Sequence, residues 1–257
     1  MKGFIFDLDG TVYLGDRMIS GAAETIQALR DRGDKVLFLT NKPIATRQSY
    51  VDKLVGMGVP ATLSEVLNSS QLVALYLKEH LKEGEKVLVI GEEPIRKELH
   101  EHGIAIVDDN SCDVDYVVLS WDRQFHYDDL NVMYQAVVRG AKVLASNPDC
   151  TCPMEDGQIP DTGTLIAALE AATGKPVDLV VGKPSAIAAE IAMNYLGLKA
   201  EDCYMVGDRL ETDVKMGNDA GMNSVLVLTG VATREMANTS IHSPKYIISS
   251  IVDVVSL

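Results

Sequence analysis

Residues Lys2-Gly3-Phe4-Ile5-Phe6-Asp7-Leu8-Asp9-Gly10-Thr11 decide how the chain is read. An apolar run leads directly into two carboxylates, and Gly and Thr follow. The run has the character of a strand buried on both faces, as in a parallel sheet. An unpaired carboxylate is costly away from water, so Asp7 and Asp9 belong where the strand leaves the sheet. In a doubly wound sheet, that carboxyl end is where ligands bind. Residues two apart on a strand share a face, so both acids can point into one crevice. Gly10 lets the backbone turn sharply and approach a ligand. Two carboxylates sharing a site repel each other, and a hard cation such as magnesium relieves that. An Asp-Gly turn with incidental acids has the same local sequence, so the choice falls to the rest of the chain.

The strand and helix patterns alternate outward from this stretch. A helical face of Ala22, Ile26 and Leu29 precedes Gly33, a helix stop. Lys35–Thr40 is a second buried strand, ending in Thr40-Asn41-Lys42-Pro43. Helices follow around Val51–Val55 and over 69–81, the latter capped by Asn68 or Ser69. A second series of strands is expected at 86–90, 104–107, 116–120 and 142–145, with helices at 94–102 and 127–139. Residues 146–162, dense in Asn, Pro, Asp and Gly, read as a long loop. A helix over 163–173 comes next. The first grammar then resumes with strands at 178–181, 204–206, 224–228 and 245–248, and Ser185 caps a helix to Leu196. Alternation of this kind specifies an α/β fold built on a parallel sheet.

Bulk properties narrow the function classes. The chain has 257 residues and a formal net charge of -14, from 23 Lys+Arg against 37 Asp+Glu. Such an acidic surface argues against nucleic acid or an anionic membrane as partner. No apolar run approaches a membrane span and no targeting peptide is visible, so a cytoplasmic location is expected. The four cysteines form no disulfide scaffold. Cys150 and Cys152 lack the second pair or nearby His that would complete a zinc set.

Four strand ends carry polar groups: Asp7 with Asp9, Thr40 with Asn41, Lys183, and Asp208 with Asp213 beyond. Each sits just past an apolar run, so all four are expected at one edge of one sheet. A carboxylate pair, a hydroxyl beside an amide, an ammonium and two further carboxylates are the parts that phosphoryl transfer needs.

The sequences DLDGT, strand-final TN, GKP and GDRLETD resemble, in order and strand placement, the four motifs of the haloacid dehalogenase superfamily, and the similarity looks closest to its NagD-like branch. The resemblance implies a doubly wound, Rossmann-like parallel-sheet core with an inserted, smaller α/β cap of the type-two kind. It implies that Asp7 attacks phosphorus to form an aspartyl phosphate and that Asp9 protonates the leaving oxygen and later activates water. Magnesium would be held by the Asp7 carboxylate, the Asp9 backbone carbonyl and Asp208. Thr40 and Lys183 would hold the phosphoryl oxygens, helped by Asn41 and by backbone N–H groups around Gly10. Asp213 would orient Lys183 or stand behind the metal. An acid at position 9 separates phosphatases and mutases from true dehalogenases. The activity so implied is hydrolysis of small phosphomonoesters, with sugar phosphates first, nucleoside monophosphates second and p-nitrophenyl phosphate as an artificial substrate. A phosphomutase, and a signalling module that holds an aspartyl phosphate without turnover, are the alternatives.

The stretch between Thr40 and Lys183 exceeds what a crossover needs by about a hundred residues, the size of a small domain. The expected division is a catalytic core of residues 1–82 and 178–257 with a cap of residues 83–177. Asn147, Asp149 and Asp161, in the loop flanked by Pro148, Pro153 and Pro160, are the candidates for leaving-group selection. The expected partner is a small phosphorylated metabolite, and the resemblance also allows a homodimer.

Overall fold

A computed structural model describes residues 1–107, 111–154 and 157–257. Contacts divide these into two compact units. One comprises Met1–Thr40, Arg47–Leu67 and Lys183–Leu257; the other comprises Asn41–Thr46 and Asn68–Gly182.

The first unit is organised on a six-stranded sheet in the order Tyr246–Ile248, Asn223–Val227, Cys203–Gly207, Gly3–Phe6, Lys35–Thr40, Val66–Asn68. The Gly3–Phe6 strand lies at its centre and pairs in parallel on both sides, Phe6 with Phe38 and with Val206. All four of its residues are buried, which is why its sequence is a continuous apolar run with no alternation. Phe4, Ile5, Phe6, Phe38 and Leu39 are fully enclosed. Each such side chain contributes about 1.5–3 kcal/mol through burial. The helices Ala22–Asp31 and Ala186–Leu196 both pack on Lys35–Thr40. Ser185 caps the second of them, its hydroxyl accepting from Ala188 N at 3.1 Å.

The second unit has its own four-stranded parallel sheet, in the order Leu179–Val180, Lys142–Ala145, Tyr116–Leu119, Val87–Ile90. Its core is formed by Leu88, Ile90, Val117, Leu119, Met133 and Leu169. Along the chain the two units change at 40/41, 46/47, 67/68 and 182/183. Helix Ser69–His80 packs against helix Glu93–Glu101 and so belongs to the second unit. Asn68 caps it, accepting from Gln71 N at 2.9 Å.

Three expectations are corrected. The strand at 178–181 does not join the first sheet: Leu179 and Val180 pair with Leu144 and Ala145 in the second. Residues 146–162 are not one loop, because Thr151–Met154 and Gly157–Pro160 form an antiparallel hairpin. Residues 104–107 make only an isolated bridge, from Ile106 to Val87. Among the described residues, no helix is long and apolar enough to cross a membrane.

Candidate active site

The register of the first sheet sets the site. Asp7 comes one position after Phe6, Thr40 two after Phe38, and Asp208 two after Val206, all at the carboxyl edge. Asp7 continues the pairing by donating its N–H to Val206 O at 2.9 Å. The chain then tightens: the N–H groups of Thr11, Val12 and Tyr13 all point to Leu8 O, and Gly10 N donates to Tyr13 O at 2.7 Å. Gly10 has φ 93°, and a Cβ there would lie 2.5 Å from Asp208 Oδ2. Both the left-handed backbone and the close approach of a carboxylate therefore require glycine.

Lys183 is the centre of the charge cluster and is almost wholly buried. Its Nζ donates to Asp7 Oδ1 at 2.6 Å and to Asp213 Oδ1 at 2.7 Å. Asp213 is secured from its other oxygen by Arg209 N at 3.1 Å. Burial alone would lower the Lys183 pKa, but the Asp213 and Asp7 carboxylates outweigh it and hold the ammonium above its usual range. Burial pushes the Asp7 carboxyl up to about 8 against the pull of Lys183, with Asp213 and Asp208 adding to the rise. Burial, with Asp213 behind it, likewise raises Asp208 to about 6.

Asp208 is gripped from the segment 229–231 by a backbone group. Val231 N donates to Asp208 Oδ2 at 2.7 Å. A Cβ on Gly230 would lie 2.0 Å from that oxygen. Thr229 Oγ1 donates to Gly10 O at 2.7 Å, tying this segment to the opening turn. The other oxygen, Asp208 Oδ1, is buried with no hydrogen-bond partner among the described residues.

Carboxylate oxygens of Asp7, Asp208 and Asp213 lie within 4.8 Å of one another. Asp213 is engaged on both oxygens by Lys183 and Arg209. An orphaned buried oxygen on Asp208 beside the Asp7 carboxylate is the environment that a hard divalent cation completes. Asp9 is half-buried, bridging to Tyr13, with Gly15 N a distant 3.5 Å from its Oδ1. The paired acids of the opening stretch thus stand in different surroundings, one enclosed among charges and the other nearer to solvent.

Asn41, next in the chain after Thr40, belongs to the second unit. There its Nδ2 donates to Asp149 Oδ2 at 2.9 Å. Asn147 is fully buried; it donates to Asp149 Oδ2 at 3.2 Å and Asp161 Oδ1 at 3.1 Å. Its own Oδ1 accepts from Ser146 Oγ at 2.8 Å and Thr162 Oγ1 at 2.7 Å. Both ends of the Asn147 carboxamide are thus engaged within the segment. Asp161 caps helix Thr162–Thr173, accepting from Thr162 N at 2.5 Å, and burial raises its pKa. Asn147 and Asp161 thus both tie the segment 146–162 together.

Comparison with known proteins agrees with this architecture. The family model described as haloacid dehalogenase-like hydrolase matches residues 4–105, and a second, HAD-hydrolase-like model matches residues 180–254. The chain is 38% identical over 255 residues to the sugar-phosphatase AraL of Bacillus subtilis, covering 99% of this chain and 92% of the relative. It is 38% identical over 253 residues to the 5'-nucleotidase YutF of the same organism, covering 98% and 96%. Among solved structures, it resembles the p-nitrophenyl phosphatase from Archaeoglobus fulgidus, with TM-score 0.92, 35% identity and coverage of 99% and 98%. It also resembles NagD from E. coli K-12, with TM-score 0.88, 30% identity and coverage of 98% of both chains. Matching motifs, a matching fold and near-complete coverage place the chain among the haloacid dehalogenase-like hydrolases, in the NagD-like branch that carries an inserted α/β cap.

Proposed function

We propose that this chain is a magnesium-dependent phosphatase that hydrolyses small phosphomonoesters through an aspartyl phosphate on Asp7. The observation that carries the reading is the buried Lys183 ammonium held between Asp7 and Asp213, beside an Asp208 oxygen with no partner among the described residues. The names of the relatives, a sugar-phosphatase, a 5'-nucleotidase and a p-nitrophenyl phosphatase, support the substrate class.

In this reading an Asp7 oxygen attacks phosphorus, and the bond from phosphorus to the leaving oxygen breaks. Asp9, in its carboxylic acid form, gives its proton to that oxygen. The Asp9 carboxylate then takes a proton from a water molecule, whose oxygen attacks the phosphorus of the aspartyl phosphate. The bond to Asp7 breaks, releasing inorganic phosphate and restoring the free carboxylate. Asp9 suits the proton role because it is the more exposed of the pair. Thr40 and Lys183 hold phosphoryl oxygens, Asn41 and the backbone around Gly10 support them, and Asp213 keeps Lys183 in place as Asp7 gives up its charge. Bound by the Asp7 and Asp208 carboxylates and the Asp9 carbonyl, magnesium would neutralise oxygen charge and favour ionised Asp7, which burial otherwise opposes.

Sugar phosphates are the first substrates to test and nucleoside monophosphates the second, with p-nitrophenyl phosphate as the chromogenic reporter. Phosphate release is to be measured across such a panel with magnesium and with chelator. Steady release that the chelator stops, with turnover lost in Asp7→Asn and in Asp9→Asn while circular dichroism is unchanged, is the expected result. Return of the phosphoryl group to substrate would make the chain a mutase. A stable phospho-protein without release would make it a signalling module. Wild-type turnover by Asp9→Asn would remove Asp9 from the proton role. The cytoplasmic location expected from the sequence and the homodimer that the resemblance allows belong to the same proposal; cell fractionation and sedimentation of the purified chain test them.

A further inference from the structure

Two of the four junctions at which the chain passes between its units, 40/41 and 182/183, immediately flank residues of the proposed phosphoryl site. Thr40 is bonded to Asn41, and Lys183 to Gly182; Asn41 and Gly182 both belong to the second unit. Inside that unit, these two residues meet the segment Ser146-Asn147-Pro148-Asp149. Gly182 N donates to Ser146 O at 3.0 Å. A Cβ on Gly182 would lie 2.4 Å from Ser146 O and 2.8 Å from Asn41 Oδ1, so only glycine lets the three come together. Asn41 is fixed at both ends. Its Nδ2 donates to Asp149 Oδ2 at 2.9 Å, and its carbonyl accepts from the buried Ser69 hydroxyl at 2.7 Å.

Asp149 is itself held rigidly. Its Oδ2 also receives Asn147 Nδ2. Its carbonyl accepts from Gly163 N at 2.8 Å, and a Cβ on Gly163 would lie 2.4 Å from Pro148 O. The segment is therefore clamped on the start of helix Thr162–Thr173. A hydrogen-bonded network of this kind, half-buried at Asp149 and buried at Asn147, restrains its surroundings.

We propose that Asp149 is a positioning residue for phosphoryl binding: through Asn41 it fixes the backbone that presents Thr40, and with Ser146 it holds the segment next to Lys183. It acts through these neighbours and not on the leaving group. The inference rests on the phosphatase reading given above and deepens it. Its consequence is that Asp149 matters equally for every phosphomonoester, whatever the alcohol attached.

The test compares wild type with Asp149→Ala and Asp149→Asn on p-nitrophenyl phosphate, a hexose phosphate and a nucleoside monophosphate, with inorganic phosphate as the competing ligand. Displacement of binding groups by a fraction of an ångström to an ångström lowers rates by about tenfold to a hundredfold. Asp149→Ala is expected to lower kcat/KM by such a factor on all three substrates alike, and to weaken inhibition by inorganic phosphate in parallel. Asp149→Asn keeps an oxygen that can accept from Asn41, so it should recover most of both quantities. Asn41→Ala and the double variant should lose no more together than Asp149→Ala alone. Mere loss of folded protein would lower kcat and leave KM and the phosphate inhibition constant unmoved, and that outcome overturns the proposal. So does a change confined to one leaving group, which makes Asp149 a selectivity residue, or wild-type behaviour of Asp149→Ala. Failure of the wild-type chain to release phosphate from any ester would instead overturn the phosphatase reading itself.

Discussion

The two parallel sheets share a strand–helix grammar, but their carboxyl ends differ. After the central strands of the first sheet come Asp7 and Asp208, buried and joined by Asp213 around Lys183. After Val87–Ile90, Tyr116–Leu119 and Lys142–Ala145 come Gly91, Ser120, Ser146 and Asn147, which are neutral. In the first cluster three carboxyl groups surround one ammonium, and burial raises the pKa of Asp7 and Asp208. In the second, polar groups are hydrogen-bonded within the unit or packed closely, as Gly91 is against Ser120 Cβ. A parallel-sheet end is thus only a location. What sets the first sheet's end apart is a surplus of buried acidic groups around one cation, the kind of perturbed cluster that gathers at functional sites.

That contrast can be broken most forcefully at Lys183. Replacing it with Met removes the cation between two buried carboxylates. Phosphate release should fall by about 10²–10³-fold. Stability in chelator at neutral pH should drop by about 3–5 kcal/mol in urea unfolding, since an unpaired buried charge is left behind. A variant as stable and active as wild type would mean that the cluster is not held together by charge.

The next effect concerns protons. Folded Asp7 keeps its proton up to about 8 and Asp208 up to about 6, whereas an ordinary Asp releases it near 3.8. The folded state therefore binds more protons than the unfolded chain across this window. Stability without a cation should fall as pH rises from about 4 towards 8. A cation must displace those protons, so its apparent affinity should strengthen over the same range, by up to about tenfold per pH unit for each proton released. Magnesium titrations followed by thermal unfolding at several pH values measure this, and a flat profile would contradict it.

The smallest effect is expected in the second sheet. Ser120 Oγ is buried without a partner among the described residues. Ser120→Ala removes that atom and keeps the Cβ that packs on Gly91, so stability should stay within about 0.5 kcal/mol and activity should not change. A large loss in either would show that the hydroxyl binds something the protein depends on.

Much of this was legible in the sequence, for identifiable reasons. The Gly3–Phe6 strand is buried on both faces, so its composition alone declares it, and the acids that follow stand out against it. Asp208 and Asp213 carry the same kind of signal. Lys183 lies against Asp7, as expected, but reaches it from a strand of the other sheet: an isolated Leu179–Val180 pair has no feature that says which of two parallel sheets it joins. The strand Val66–Asn68 and the hairpin of Tyr13–Leu14 with Arg17–Met18 are too short to show a period. The hairpin within 146–162 was hidden by Pro153 and Pro160, which mimic loop composition yet are tolerated in a two-stranded ribbon with edges on both sides. Gly230 and Val231 act through a missing Cβ and a backbone N–H, so nothing in their side chains announces a grip on Asp208.

The route by which the chain arrives at Lys183 bears on protein engineering. The strand leading to it is part of the second unit, hydrogen-bonded there through Val180, Val181 and Gly182. A graft that exchanged residues 83–177 with those of another member would splice a foreign Ala145 counterpart against a native Val180. It would also sever native Asn41 from its own Asp149. Seams placed after Thr40 and before Lys183, with residues 47–67 kept native, would transplant the donor's ladder whole and leave both anchors matched to their supports.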